Sequence, residues 1–193
     1  MNIFSKKSVK STIISSKFTY NSENFILGKD ETLQPKFAKI FGLNYSVNIY
    51  YLKIKSPELN LNKDSINIYL PMQYKNYNNQ NLLNVILFKM YKKITEQEIE
   101  LIMEKARHLF GFAPEDYEVK KINNTLAYCN TELQIIYFNP YIATYEKEII
   151  EYIVFHEFCH LKYKTHSAKF YEMLKKYIPN YEKISKKIPN LKY

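Results

Sequence analysis

The chain has 193 residues, 46% hydrophobic and 16% aromatic, and a net charge of +9. That is enough apolar material for one core, or one core with an appendage. Its only glycines are Gly28, Gly42 and Gly111, which excludes Gly-rich phosphate loops and dinucleotide-binding turns.

The positive charge is almost wholly Lys, and Arg107 is the single arginine. Base readout and phosphate clamping favour Arg, so the charge gives a nucleic-acid partner only weak support. No run approaches the roughly 20 apolar residues of a membrane span, and Met1 to Tyr20 lacks an apolar signal core. Two cysteines, Cys129 and Cys159, make no disulfide framework and fit a reducing, cytoplasmic setting.

Residues 1 to about 20 read as a weakly structured leader or an edge strand. Phe25-Ile26-Leu27 reads as a short strand before Gly28-Lys29-Asp30. Tyr45 to Ile54 alternates, with Tyr45, Val47, Ile49 and Tyr51 on one face, and Ile66 to Leu70 alternates before Pro71. These runs predict a small antiparallel sheet or a pair of hairpins, a β-rich portion over 1–80. Lys75 to Asn81 is an Asn-rich loop.

Helical periodicity then takes over for a core over 81–193, continuous with what precedes it. Leu82, Leu83, Ile86, Leu87 and Met90 mark one helix. Thr95 with Glu98 has the capping-box spacing that starts a second helix, striped by Ile99, Ile102, Met103, Ala106 and Leu109-Phe110. Gly111 and Pro114 end it, and His108 in its last turn reads as a cation favoured by the helix dipole. Tyr117 to Phe138 returns to a period of two and fits two or three short strands, closed by Asn139-Pro140.

Tyr145 to Tyr163 is the clearest helix, acidic in its first turns and apolar on most sides, hence buried. It carries His156-Glu157-Phe158-Cys159-His160, and Cys159 there reads as a small buried apolar residue. Three of the chain's four histidines fall between His156 and His166. Ser167 caps a further helix striped by Phe170, Met173, Leu174 and Tyr177, which Pro179 stops. Lys183 to Tyr193 is a basic tail.

Residues four apart share a helix face, so His156 and His160 can aim their imidazoles at one point, as a zinc site requires. Glu157 stands one residue along and can reach an attacking water to take its proton. A third ligand is needed. His166 is the first candidate, provided the helix breaks between Leu161 and Thr165; Glu172 and Glu182 are alternatives. The spacing equals that of the metzincin signature, but Tyr163 stands where that signature has glycine. Two His and a Glu in an apolar helix carry a heavy desolvation cost without a metal.

Ile153 to Leu161, followed by Thr165-His166-Ser167 and Phe170, resembles the YgjP-like metallopeptidase family, itself similar to the SprT and WLM zinc-peptidase groups. The likeness runs from about Leu82 to Leu191. It implies an α+β fold with a compact zincin-like, minigluzincin-like core: a small mixed or antiparallel sheet packed on helices, one bearing HExxH. It also implies zinc on His156, His160 and His166, with Glu157 as the base of a peptidase. The strand Leu133 to Phe138 would line the cleft, where an extended peptide could pair with the sheet edge. One departure stands out. The family's R-W-G-S-C run falls on Asn124-Thr125-Leu126-Ala127-Tyr128-Cys129, where only Cys129 is kept. Beside the peptidase stands an alternative of another class, a metal-stabilised module that binds protein or nucleic acid.

Overall fold

The computed structural model describes residues 16–17 and 37–188. The strand read at Phe25 to Leu27 and the last residues of the basic tail lie outside them. The elements in order are β1 (Ser16–Lys17), β2 (Phe37–Ile40), β3 (Leu43–Leu52), β4 (Glu58–Leu61), β5 (Ser65–Pro71), α1 (Gln80–Phe110), β6 (Asp116–Val119), β7 (Ala127–Asn130), β8 (Ile135–Phe138), α2 (Lys147–His160), α3 (Ala168–Tyr177) and α4 (Tyr181–Ser185). Single 3-10 turns occupy Met72–Tyr74 and Pro140–Thr144. Two compact units result: Met1–Phe37 with Tyr45–Asn81, and Ala38–Asn44 with Leu82–Tyr193.

In the first unit the strands pair in the order β1-β4-β5-β3. Ile66, Ile68 and Leu70 alternate inward along β5 and are fully buried. Of the expected antiparallel sheet or pair of hairpins, the hairpins are present, β2 with β3 and β4 with β5, but the sheet is mixed, because β3 runs parallel to β5, with Ser46 opposite Ser65 and Leu52 opposite Pro71. The cause is β4, a strand that the alternation pattern does not announce. It turns back onto β5 antiparallel, and the link from β3 must cross over to reach that hairpin.

In the second unit, Ala38–Asn44 forms a hairpin tip. Phe41 and Gly42 both have positive φ, 50° and 81°, as a tight two-residue turn demands. Its amides are spent on the 3-10 turn: Phe41 N–H donates to Ala143 O at 2.8 Å and Gly42 N–H to Thr144 O at 3.2 Å. A Cβ on Gly42 would stand 2.8 Å from Cγ of Glu146, so this approach needs glycine.

The two helices expected around Thr95 are one helix of 31 residues, α1. Thr95 is fully buried, and its hydroxyl donates to Pro140 O at 2.7 Å instead of capping its own backbone. Tyr91, Ile94, Thr95 and Ile99 make one buried stripe through the supposed boundary. Gly111, at φ 73°, ends the helix by donating to Arg107 O.

Strands β6, β8 and β7 form a second small sheet in that order, β8 parallel to β6 and antiparallel to β7. Helix α2 is the centre of this unit: Ile149, Ile150 and every residue from Tyr152 to Cys159 are buried. It packs against β7, α3 and α4. Phe110 at the end of α1 joins the cluster, its ring 5.3 Å from those of Phe155 and Phe158 and 4.2 Å from Tyr177. Each such side chain removed from water contributes about 1.5–3 kcal/mol. The architecture is α+β, small mixed sheets packed on helices.

Candidate metal centre

His156 and His160 lie in the last two turns of α2, which ends at His160. The chain then turns tightly: Tyr163 N–H donates to Cys159 O at 2.9 Å, and Ser167 N–H to Thr165 O at 2.7 Å. Ser167 caps α3, its hydroxyl accepting from Phe170 N–H. The helix therefore breaks where His166 needs it to. Tyr163 is not among the described residues with positive φ, so this turn has no need of a glycine there.

The break brings His166 back. Its Nε2 lies 2.9 Å from Nε2 of His156, and Nε2 of His160 lies 3.2 Å from the same atom. The opposite ring nitrogens are committed elsewhere: His160 Nδ1 meets Tyr163 O at 3.0 Å, and His156 Nδ1 faces the Tyr152 hydroxyl at 3.5 Å. A carbonyl can only accept, so His160 carries its proton on Nδ1 and presents a bare Nε2. Phe170, fully buried, sets its ring 4.7–4.9 Å from all three imidazoles.

Burial pushes the His156 imidazole down to about 3, and His160 and His166 act in the same direction. Burial also lowers His160, against the Tyr163 carbonyl, and lowers His166. The site thus disfavours protonation of all three imidazoles and brings their Nε2 atoms together. Ligands about 2.0–2.1 Å from a tetrahedral ion stand roughly 3.3 Å apart, so the donor set suits a small cation. Among the described residues His156, His160 and His166 form the group that could hold a metal ion. Glu172 is exposed on α3, and Glu182 accepts from the Tyr181 hydroxyl; neither joins the group.

Glu157 is buried beside them. Burial pushes its carboxyl up to about 8, opposed by the backbone N–H of Cys129, which donates to it. Strand β7 thus touches the buried carboxyl of Glu157. The strand expected to line the cleft with a free edge, Leu133 to Phe138, does not have one: β8 is the central strand, paired on both sides. The edge strand beside the motif helix is β7.

Residues 16–190 match the family described as YgjP-like, metallopeptidase domain. The chain belongs to that family. This YgjP-like chain is accordingly a metallopeptidase, acting on peptide or protein substrates. Among solved structures it is similar to the metallopeptidase zymogen of Pyrococcus abyssi abylysin, at 24% identity and a TM-score of 0.43, over 46% of this chain and 90% of that one. It is also similar to the zymogen of Methanocaldococcus jannaschii jannalysin, at 23% and 0.42, over 46% and 91%. No curated protein matches it. No helix among the described residues is long and apolar enough to cross a membrane.

Several site-building residues of the YgjP-like chain were not singled out by motif reading. Tyr152 sits one turn before His156, where it reads as one more apolar position of a buried helix. Asn139 reads as a strand stop. It is buried, and its side chain donates to Ile122 O at 2.8 Å and Thr125 O at 3.2 Å while accepting from Tyr141 N–H. Its own N–H donates to Leu126 O. Those bonds fix 122–126, of which Asn124, Thr125 and Leu126 wall a cavity of about 250 Å3 next to His156 and Glu157.

Proposed function

We propose that His156, His160 and His166 hold a zinc ion through Nε2 and that Glu157 is the general base of peptide-bond hydrolysis. The convergence of three Nε2 atoms beside a buried carboxylate on the same helix carries this reading. Three imidazoles suit zinc, whereas harder cations prefer oxygen. When bound, the ion supplies Lewis acidity, polarising the peptide carbonyl and making an attacking water more acidic.

The side chains divide the remaining work. Glu157 takes the proton of the attacking water and delivers it to the departing amine nitrogen. A cation on the imidazoles favours its ionised form, against the burial that raises it. The Cys129 N–H holds one carboxylate oxygen and so orients the other. Among the described residues β7 is an edge strand of its sheet, and an extended peptide running alongside it would pass Glu157. The free thiols Cys129 and Cys159 suit a cytoplasmic setting.

Elemental analysis of the purified protein and a Glu157→Gln variant test this reading. The expected result is one zinc per chain in both proteins, with hydrolysis reduced by about 100-fold or more in the variant. Absence of stoichiometric metal, or unchanged hydrolysis in Glu157→Gln, overturns it.

A further inference from the structure

The cavity beside Glu157 has a chemical character that the hydrolytic machinery does not require. Leu126 and Ala127 form one wall, with Asn124 and Thr125 at its polar end; Tyr152 and Ile153 of α2 form another, and Tyr145 and Ile188 face them. Among the described residues no Lys or Arg lines this space, and Glu157 is its only carboxylate. At about 250 Å3 it falls below the roughly 300–1,000 Å3 of small-molecule sites, a size suited to one side chain.

We infer that this cavity receives the side chain flanking the scissile bond, so that the enzyme cuts peptides beside uncharged aliphatic or aromatic residues of leucine to phenylalanine size. This rests on the reading of the site as a peptidase centre. His156 and Glu157 are themselves part of the wall, so a side chain seated here holds its own backbone against the reacting groups. An acidic side chain would meet the Glu157 carboxylate and would compete with substrate and water for the cation on the imidazoles. A basic one would pair with Glu157 and occupy the base, so it would bind without being turned over. An apolar one replaces water along Leu126, Ile153 and Ile188 and leaves Glu157 free.

The test is digestion of a proteome-derived peptide mixture by the zinc-loaded protein, with Glu157→Gln as control and every cut mapped by mass spectrometry. Cuts that depend on Glu157 should cluster beside Leu, Ile, Met and Phe on one side of the bond. Synthetic peptides with Leu there should exceed their Ala counterparts in kcat/KM by about 10-fold or more. Ile188→Ala, which widens the cavity, should shift the preference toward Phe and Tyr; Ile188→Phe should shift it toward Ala and Val. Glu157-dependent cuts without a side-chain preference, or clustered beside Asp, Glu, Lys or Arg, overturn this inference and leave the peptidase reading standing. So does a preference that both Ile188 variants leave unmoved while retaining their zinc. No Glu157-dependent cut at all overturns the peptidase reading, and this inference with it.

Discussion

Nε2 of His166 lies 2.9 Å from Nε2 of His156, although ten residues and a helix end separate them. Two neutral ring nitrogens at that distance repel if both are bare, and a cation between them removes the repulsion. His166→Ala should therefore lower zinc affinity by at least about 100-fold, the upper end of what losing a supporting residue around a metal costs. Competition against a chromogenic chelator measures it. The thermal midpoint of the metal-free wild type should rise on adding zinc, and that of His166→Ala should not. Glu172→Gln and Glu182→Gln should behave as wild type; a loss of zinc in either would restore them as ligands.

Tyr152 supports the same imidazole from behind, its hydroxyl facing His156 Nδ1 at 3.5 Å. Removing that oxygen takes away one contact that favours the tautomer with its proton away from the metal-binding nitrogen. Tyr152→Phe should keep the fold and weaken zinc binding by about 10-fold. Equal zinc affinity in the two proteins would show that packing alone orients His156.

What could be read in advance followed local rules. His156 and His160 share a face because four residues make one turn, and Ser167 caps because its side chain is short and polar. The parallel pairing of β3 with β5 was hidden because alternation identifies a strand but not its partner. Thr95 misled for a related reason: the hydroxyl that suits an N-cap equally suits a bond to Pro140, forty-five residues away. The place of β8 between β6 and β7 likewise depends on pairings that periodicity does not contain. Tyr152 and Asn139 become functional only through groups that the fold delivers to them.

Asn139 is the sharpest instance of such a residue. Its side chain satisfies two carbonyls and one amide that are otherwise at risk of burial without partners. Asn139→Ala should lower stability by about 2–4 kcal/mol, since each unsatisfied buried group costs roughly 1–3 kcal/mol and water can recover part of it. Chemical denaturation measures the loss. Because Asn124, Thr125 and Leu126 wall the cavity, KM should rise more than kcat falls. A variant that loses stability with unchanged KM would confine Asn139 to a structural role.

The metal-free protein should have a pH profile with two opposed limbs. Glu157 titrates at 4.5 when unfolded and at about 8 when folded, so between these values the folded state binds more protons and stability falls as pH rises. His156 moves the other way, from 6.5 to about 3, so across that window the unfolded state binds more protons and stability falls as pH drops. His160 and His166 are also lowered and reinforce the second limb. From these groups stability declines below about pH 4.5, where only the histidines titrate, and above about 6.5, where only Glu157 does. Between the two limits the opposed terms offset each other. Denaturant midpoints of the chelator-stripped protein from pH 4 to 8 measure the profile. Glu157→Gln should flatten the alkaline limb and leave the acid limb in place. Saturating zinc should flatten the alkaline limb too, since a cation stabilises the ionised carboxylate, and should steepen the acid limb, where protons compete for the three imidazoles. An alkaline limb that persists unchanged in Glu157→Gln would assign it to another group.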